Sequence, residues 1–167
     1  DAFGFYHPDP IFGFAEQVTG RKSPSVINAV YSPTLFWDGR ATNNFVDPVT
    51  GMQVLPFSAS LESQAVGPIL NDGEMAHEGM DWPDVIARLE SVTPLALASD
   101  IPADVAAFAS GLSYAVLFER AFGTPEVTVP RIAMAIATYE RTLISNVSPF
   151  DDFLMGVPGA LNPQEAH

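Results

Sequence analysis

The residues best suited to chemistry lie in one short stretch, residues 60–75, which reads SLESQAVGPILNDGEM. It holds an amide at Gln64, a rigid turn at Gly67-Pro68, and a carboxylate followed by a thioether at Glu74-Met75. The preceding Asn-Asp-Gly is turn chemistry, so we expect Glu74 where a loop bends. A carboxylate held near an amide can move protons at a polar reaction centre. On residue types alone, a helix-surface Gln64 and a solvated Glu74 remain the simpler interpretation.

The histidines and methionines are candidate ligands for a metal or cofactor. His7, His77 and His167 are the three histidines, and neither i, i+4 pairs nor a HExxH string occurs among them. The spacing therefore does not indicate a zinc site. His7 in an aromatic, Pro-rich loop and His77 three residues after Glu74 are ligand candidates, although a loop-packing and a surface histidine are the simpler interpretations. Met75, in the same Glu-rich loop, is a soft-ligand candidate.

Acidic residues crowd the same loop and raise the question of a hard cation. Asp72, Glu74, Glu78 and Asp81 are carboxylates of the kind that Ca²⁺ binds. They lack the spacing of an EF-hand, and solvated loop acids are the simpler interpretation. The sequence predicts no confident metal site.

An earlier stretch, TLFWDGRA at residues 34–41, places a tryptophan at the edge of a tight turn. Trp37 precedes Asp38-Gly39, a turn dipeptide, and Arg40, one of only seven basic residues in the chain. By itself Trp37 is a surface aromatic that packs on its own loop.

Composition excludes several classes of function. The chain has 167 residues, a hydrophobic fraction of 47% that suffices for a core, and a net charge of −13 with a pI of about 4.2. Such a surface repels nucleic acid and anionic membranes, and it suits a basic protein partner or a saline habitat. Without cysteine, the chain forms no disulfide, thiolate metal site or thioether-linked haem. No apolar run approaches the ~20 residues of a membrane span.

The two ends of the sequence carry different signals. The first ten residues, DAFGFYHPDP, have no basic region and no apolar run, so we expect a mature or cleaved start rather than a signal peptide. Asn162-Pro163-Gln164-Glu165 is a helix-start signal with almost no helix after it. We therefore expect the helix to continue beyond the sequence.

Local signals predict a mostly α fold with long loops and a small β-hairpin near residues 42–59. The longest helix, capped by Thr128, is predicted over residues 128–145, with Ile132, Ile136, Tyr139 and Leu143 forming one apolar stripe. The remaining predicted helices are residues 25–31, a short helix from Ser60, residues 84–91 capped by Asp81, residues 103–110 capped by Asp100, residues 113–122, and a last helix from Ser148 to Gly156.

Six strings now occur in one order. They are RKSPSVIN (21–28), FWDGR (36–40), LESQAVGP (61–68), EM (74–75), AIATYERTLIS (135–145) and SPFDDFLMG (148–156). Each alone is weak, but together they closely resemble the bacterial di-haem cytochrome c peroxidase / MauG family. The resemblance covers roughly residues 21–165.

The resemblance implies two α-helical, cytochrome c-like haem domains, each with a C-x-x-C-H attachment motif, and these strings lie between the two motifs. It implies reduction of hydrogen peroxide with electrons from a small cytochrome or copper protein, which we expect to be basic. MauG-like members instead oxidise residues of a partner protein. Residues 1–80 would be the loop-rich part of the first haem domain and residues 81–167 would lead into the second. A periplasmic or extracellular location is implied, and a homodimer is left open.

The resemblance also assigns roles to named residues. Trp37 would relay electrons between haems, since its indole is a large oxidisable π-system. Gln64 would orient the peroxide and Glu74 would shuttle its proton, while Pro68 would shape their pocket. Arg40 would be available for a carboxylate or a haem propionate.

This sequence departs from the family pattern in several places. It has no C-x-x-C-H motif, and residues 42–59 lengthen the span after FWDGR. Lys22 stands where relatives often place a calcium-binding asparagine, so a bridging calcium is doubtful. His7 is the one distal-ligand candidate before Arg21, and its spacing is long.

Four interpretations therefore remain open at the level of the sequence. The chain is the middle of a di-haem peroxidase-like enzyme, or a haem-free relative acting as a binding or structural subunit. Otherwise it is an unrelated acidic helical domain, or its haem is held non-covalently or supplied by another chain.

Overall fold

The computed structural model describes residues 22–165, which form two compact units. One unit combines Pro24–Gln64 with the residues from Pro130 onward, and the other is built mainly from Ala65–Val129. Each unit is described separately below. The proposed division into haem domains at residue 80 stays a prediction, because compact units do not identify haem domains.

The first unit contains the predicted hairpin. Strands β1 (Phe45–Val46) and β2 (Gln53–Leu55) pair antiparallel, with Phe45 opposite Leu55. The Asp47 carboxylate closes the turn by accepting hydrogen bonds from the backbone N–H of Val49 at 3.0 Å and from the Thr50 hydroxyl at 2.8 Å. Aspartate in a turn commonly satisfies nearby donors in this way. The hairpin prediction is confirmed.

Three helices complete this unit: α1 (Ser60–Ala65), most of α5 (Val129–Glu140) and α6 (Pro149–Leu154). The buried residues of α5 are Val129, Ile132, Ala133, Ala137 and Glu140. The predicted apolar stripe is wrong, because Tyr139 is 67% exposed and Ile136 is 36% exposed. Ile132 of the stripe is buried, but the small side chains of Ala133 and Ala137 take the interior positions that the stripe gave to Ile136 and Tyr139.

Helix α5 ends five residues earlier than expected, at Glu140. The chain beyond it is held by Asn28, whose backbone N–H donates to the carbonyl of Leu143 at 2.9 Å. The Asn28 side chain also accepts from the Ser145 N–H at 2.8 Å and donates to the Ser145 carbonyl at 3.2 Å. The bond to the Ser145 N–H satisfies a donor that a longer helix would have paired internally, and the other two satisfy carbonyls after the end of α5.

The helix predicted over residues 25–31 is also wrong. Only Ala29–Tyr31 form a single 3₁₀ turn, and Asn28 before it has a φ of 60°. Asparagine tolerates this left-handed conformation better than most residues. The conformation interrupts a helix at the point where Asn28 reaches the segment after α5.

The second unit is helical. It contains α2 (Trp82–Ser91), α3 (Ala103–Ala109) and α4 (Tyr114–Phe122). Trp82 of α2 and Phe118 of α4 are both buried, and the two helices contact each other.

Short-range capping fixes where these helices begin and end. Asp81 caps α2, as predicted, in a reciprocal capping box with Asp84. Ser113 caps α4 by accepting a hydrogen bond from the Val116 N–H. The predicted cap for α3 is wrong, because Pro102 rather than Asp100 occupies the N-cap, with no side-chain hydrogen bond. Gly123 ends α4 with a φ of 84°, the left-handed geometry that favours glycine.

No single helix among residues 22–165 is long and apolar enough to cross a membrane. Helices α3 and α4 together meet the criteria of length and composition, but they are bent by 95° relative to each other.

Candidate functional site

The FWDGR loop is a closed turn that presents Trp37 to solvent. Leu35 and Ala41 exchange both backbone hydrogen bonds, at 2.9 and 3.3 Å, so the loop between them is fixed at its base. Gly39 has a φ of 70°, and its N–H donates to the Phe36 carbonyl. Trp37 at the tip is 73% exposed. A side chain held at this position can meet another group from outside the turn.

Arg40 already has partners within the same loop. Its Nη1 donates to both oxygens of Asp38, at 3.0 and 3.1 Å, and its guanidinium lies 3.7 Å from the centre of the Phe36 ring. Desolvation works against the charged carboxylate, but backbone and side-chain hydrogen bonds from Arg40 outweigh it and lower the pKa of Asp38. The carboxylate that the sequence predicts as a partner for Arg40 is therefore Asp38 itself.

Gln64 lies near the end of α1 and is half-buried. On the same short helix, Glu62 is buried and accepts two hydrogen bonds from Arg141, at 2.8 and 2.9 Å. The second guanidinium nitrogen also donates to the Ser58 carbonyl at 3.1 Å. Hydrogen bonding to Glu62 is the main reason that the pKa of Arg141 is raised. This paired contact joins α1 to the end of α5.

Glu140, beside Arg141 in the chain, is a second buried carboxylate. It is 9% exposed, and its Oε2 has no hydrogen-bond partner. Burial raises the pKa of Glu140 most, the nearby Glu62 charge raises it further, and Arg141 partly offsets both. The side chain is therefore held in surroundings that disfavour its ionised form.

Glu74 is positioned by one tight turn in the second unit. The carbonyl of Asn71 accepts from the N–H groups of Glu74, Met75 and Ala76, at 2.9, 3.1 and 3.1 Å. The Asn71 side chain accepts from the Gly73 N–H at 2.8 Å. Asparagine therefore organises the bend predicted before Glu74. The Glu74 side chain itself is exposed.

Pro68 stands directly before that turn. It opens a 3₁₀ turn, Pro68–Leu70, and its carbonyl accepts from the Asn71 N–H at 3.2 Å. Pro68 and Glu74 are thus linked through two consecutive hydrogen-bonded turns centred on Asn71. Any change of the Pro68 backbone is expected to move the Glu74 turn.

The other ligand candidates are solvent-facing where they are described. Met75 is 66% exposed, and His77 is exposed with its Nδ1 3.0 Å from the Glu78 carbonyl. Lys22, at the doubtful calcium position, is also exposed. Within residues 22–165, His, Cys, Asp and Glu nowhere gather in threes that could hold a metal ion. His7 and His167 lie outside the described residues.

The predicted site residues fall into two sets. Trp37, Arg40 and Gln64 belong to the first unit, whereas Pro68, Glu74, Met75 and His77 belong to the second. Sequence reasoning did not find the pair of Glu62 and Arg141. The available signal was an acid at position 62 between Leu61 and Ala65, two positions that suit burial, with no basic residue within α1 to neutralise it.

Comparison with known proteins decides the family. The family model described as di-haem cytochrome c peroxidase matches residues 2–158. The chain belongs to this family. The resemblance inferred from the six strings is confirmed, and so is the mostly helical fold with a small hairpin.

The relatives include both branches of the family. The methylamine utilization protein MauG of Methylophilus methylotrophus is 31% identical over 149 residues, which are 89% of this chain and 33% of that protein. The cytochrome c551 peroxidase of Nitrosomonas europaea is 32% identical over 143 residues, covering 86% of the chain and 31% of the relative. The cytochrome c peroxidase Ccp of Escherichia coli K12 is 32% identical over 143 residues, 86% of the chain and 22% of that protein. The chain thus spans a third or less of these relatives.

The family name implies haem. The residues present could lie beside a haem, but they cannot bind one covalently. Thioether attachment needs cysteines, and the sequence contains none. Met75 and His77 are exposed. The chain therefore forms no thioether bond to a haem.

Proposed function

We propose that this chain is the central segment of a di-haem oxidoreductase that reduces hydrogen peroxide to water. Family membership supports the general class of peroxidase. The single observation that carries the finer proposal is the Glu74 turn, in which three backbone N–H groups converge on the Asn71 carbonyl and leave an exposed carboxylate at the bend. The haem-attachment motifs would lie in parts of the protein beyond these residues, as the one-third coverage of the relatives suggests.

Glu74 is assigned the proton transfers. Reduction of one peroxide takes two electrons and two protons, cleaves the O–O bond and yields two waters. A carboxylate can accept a proton from the proximal peroxide oxygen and deliver it to the departing oxygen. Haem, when bound, supplies the redox chemistry. Gln64 is assigned the orientation of the peroxide, since its amide both donates and accepts hydrogen bonds, and Pro68 fixes the backbone before the Glu74 turn.

Trp37 is assigned the electron relay. Its exposure at the tip of a hydrogen-bonded turn supports this role, because an oxidisable indole there is held in a defined place. The electrons would come from a small cytochrome or copper protein with a basic surface, in keeping with the charge of −13. A periplasmic or extracellular location is part of the same proposal.

The first test replaces Glu74 by glutamine in the haem-loaded protein. Glu74→Gln keeps the size and polarity of the side chain but removes its ability to move a proton. We expect kcat/KM for peroxide to fall by ~100-fold or more, the lower range for loss of general acid–base catalysis. Absorption spectra should stay unchanged, since the residue does not attach the cofactor.

Glu78→Gln is the matched control, because it removes an equally exposed carboxylate four positions along the same loop. It should keep wild-type turnover. If Glu74→Gln also turns over peroxide at the wild-type rate, Glu74 has no part in the mechanism. A protein that lacks a Soret band when purified with its flanking segments would instead support the haem-free binding subunit.

A second candidate function is oxidation of residues on a partner protein. It is favoured by the MauG relative, whose identity of 31% is comparable to that of the peroxidases. Assays of the haem-loaded protein separate the two candidate functions. Peroxide consumption driven by a reduced donor supports the peroxidase, whereas peroxide-dependent oxidation of a protein without donor turnover supports the alternative.

A further inference from the structure

Helix α1, which carries Gln64, is too short to hold its own orientation. It has six residues, and isolated helices below ~12 residues are marginal in water. Contacts outside the helix must therefore stabilise it and fix its orientation about its own axis. Two polar contacts within its unit, together with apolar burial, supply them.

The first contact lies at the beginning of the helix. The Ser60 hydroxyl donates to the Ser32 carbonyl at 2.8 Å, and Leu61 beside it is 2% exposed. This contact fixes where α1 starts. It does not fix the far end, where Gln64 lies.

The second contact is made by Arg141. Its two terminal nitrogens reach the two oxygens of Glu62 at 2.8 and 2.9 Å, and one of them also reaches the Ser58 carbonyl at 3.1 Å. A planar guanidinium that makes three hydrogen bonds fixes direction as well as distance. The Glu62 side chain is only 4% exposed, so the pair is shielded on the carboxylate side.

Helical geometry connects this pair to Gln64. Residues two apart lie ~200° around an α-helix, on nearly opposite sides. With Glu62 held against Arg141, Gln64 must point away from that contact. Rotation of α1 by one residue position would withdraw Glu62 from the guanidinium and leave a buried carboxylate unpaired.

We propose that Arg141 is a positioning residue that sets the direction of the Gln64 amide by holding Glu62. The inference rests on the proposed function, in which Gln64 orients peroxide. Arg141 lies 77 positions from Gln64 in the sequence and acts on it only through α1. Small displacements of an orienting group are enough to slow a reaction markedly.

The decisive variant is Arg141→Lys in the haem-loaded protein. Lysine keeps the positive charge near Glu62 and Glu140 but cannot make the paired contact or reach Ser58 at the same time. We expect kcat/KM for peroxide to fall about tenfold, within the range for misplaced groups, with the KM for the electron donor unchanged. Arg88→Lys, at an exposed arginine of α2, is the matched control and should behave as wild type.

A double-mutant cycle tests whether Arg141 acts through Gln64. In a Gln64→Ala background, Arg141→Lys should have less than about a twofold further effect, since residues that act as a unit are not additive. Equal fold losses in both backgrounds would overturn the proposal. If Arg141→Lys fails to fold, Glu62→Gln, which keeps the shape of the carboxylate, should reproduce the loss of kcat/KM.

Hydrogen exchange provides a readout independent of activity. Amide exchange in a peptide covering α1 should be faster in Arg141→Lys than in Arg88→Lys, while α2 and α4 stay protected. Unchanged exchange in α1 would overturn the proposal whatever the activity. If α1 exchanges faster but Gln64→Ala turns over peroxide normally, the assigned role of Gln64 fails, and the catalytic part of this inference fails with it.

Discussion

At the scale of single residues, Glu140 is a buried carboxylate whose surroundings disfavour its charged form. Its carboxylate is buried on the interior face of α5, and one oxygen has no hydrogen-bond partner in the described structure. Burying a charge without full pairing is costly, and the nearby Glu62 charge adds to that cost. The positive charge of Arg141 offsets part of this cost, but its guanidinium donates hydrogen bonds to Glu62 rather than to Glu140.

The raised pKa of Glu140 predicts how stability depends on pH. A carboxyl whose folded pKa lies above its ordinary value of 4.5 binds its proton more tightly in the folded state. Its contribution to stability is therefore lost as pH rises from the ordinary value through the raised one. Glu140→Gln should remove that loss and unfold at a higher temperature than wild type at pH 7.

The measurement is thermal unfolding of both proteins between about pH 4 and pH 8. The difference in melting temperature should grow with pH and become small near pH 4, where Glu140 is mostly protonated in both states. Glu119→Gln, at an exposed position of α4, should show no such trend. A lower melting temperature for Glu140→Gln at pH 7 would mean that the ionised carboxylate stabilises the fold.

At the scale of elements, the caps show which features are local. Asp81 accepts from the Asp84 N–H at 3.0 Å, and Asp84 accepts from the Asp81 N–H at 3.2 Å. Both residues are within four positions of each other, so the sequence alone predicts where α2 begins. Asp100 stands before a similar Pro, yet it does not cap α3.

These two aspartates give a paired prediction. Asp81→Ala should lower the free energy of unfolding by about 1 kcal/mol, the usual cost of losing an N-cap. Asp100→Ala should change it by no more than about 0.5 kcal/mol, as expected for a surface position away from such features. Urea denaturation of both variants checks the difference. Equal losses would show that Asp100 stabilises the start of α3 by another route.

Two of the mispredicted features depend on distant contacts. The end of α5 is set by Asn28, which lies 117 positions from Ser145. The pairing of Glu62 with Arg141 spans 79 positions. Local signals therefore predict most of the helices, the hairpin and the Glu74 turn, but they do not show which acids are buried. Propensity and capping act over a few residues, whereas burial is decided by the whole fold.

At the scale of the whole molecule, the chain forms two units that are each built from separate segments, and it carries a net charge of −13. The segment containing Trp37 and α1 belongs with α5 and α6, while the residues between Ala65 and Val129 form their own unit. Arg120 has a carbonyl partner at Phe108, and Arg40 and Arg141 are paired with acids. At least three of the seven basic residues are thus engaged within the chain.

That charge predicts how turnover responds to salt. If a basic donor protein delivers the electrons, its association with a segment of net charge −13 is accelerated by long-range attraction. Raising the ionic strength from about 0.01 M to about 0.15 M shortens the Debye length from ~30 Å to ~8 Å. The kcat/KM for the donor should therefore fall about tenfold or more, while kcat changes little, since attraction affects encounter more than chemistry.

The measurement is steady-state peroxide reduction at a series of ionic strengths with a basic donor, an acidic donor of the same class and a small uncharged reductant. The uncharged reductant controls for salt effects on the protein itself and should give a flat profile. The acidic donor should accelerate with salt, because screening weakens its repulsion. A flat profile for all three would mean that the donor binds where this segment's charge is not felt, and the proposal of a basic donor would then be wrong.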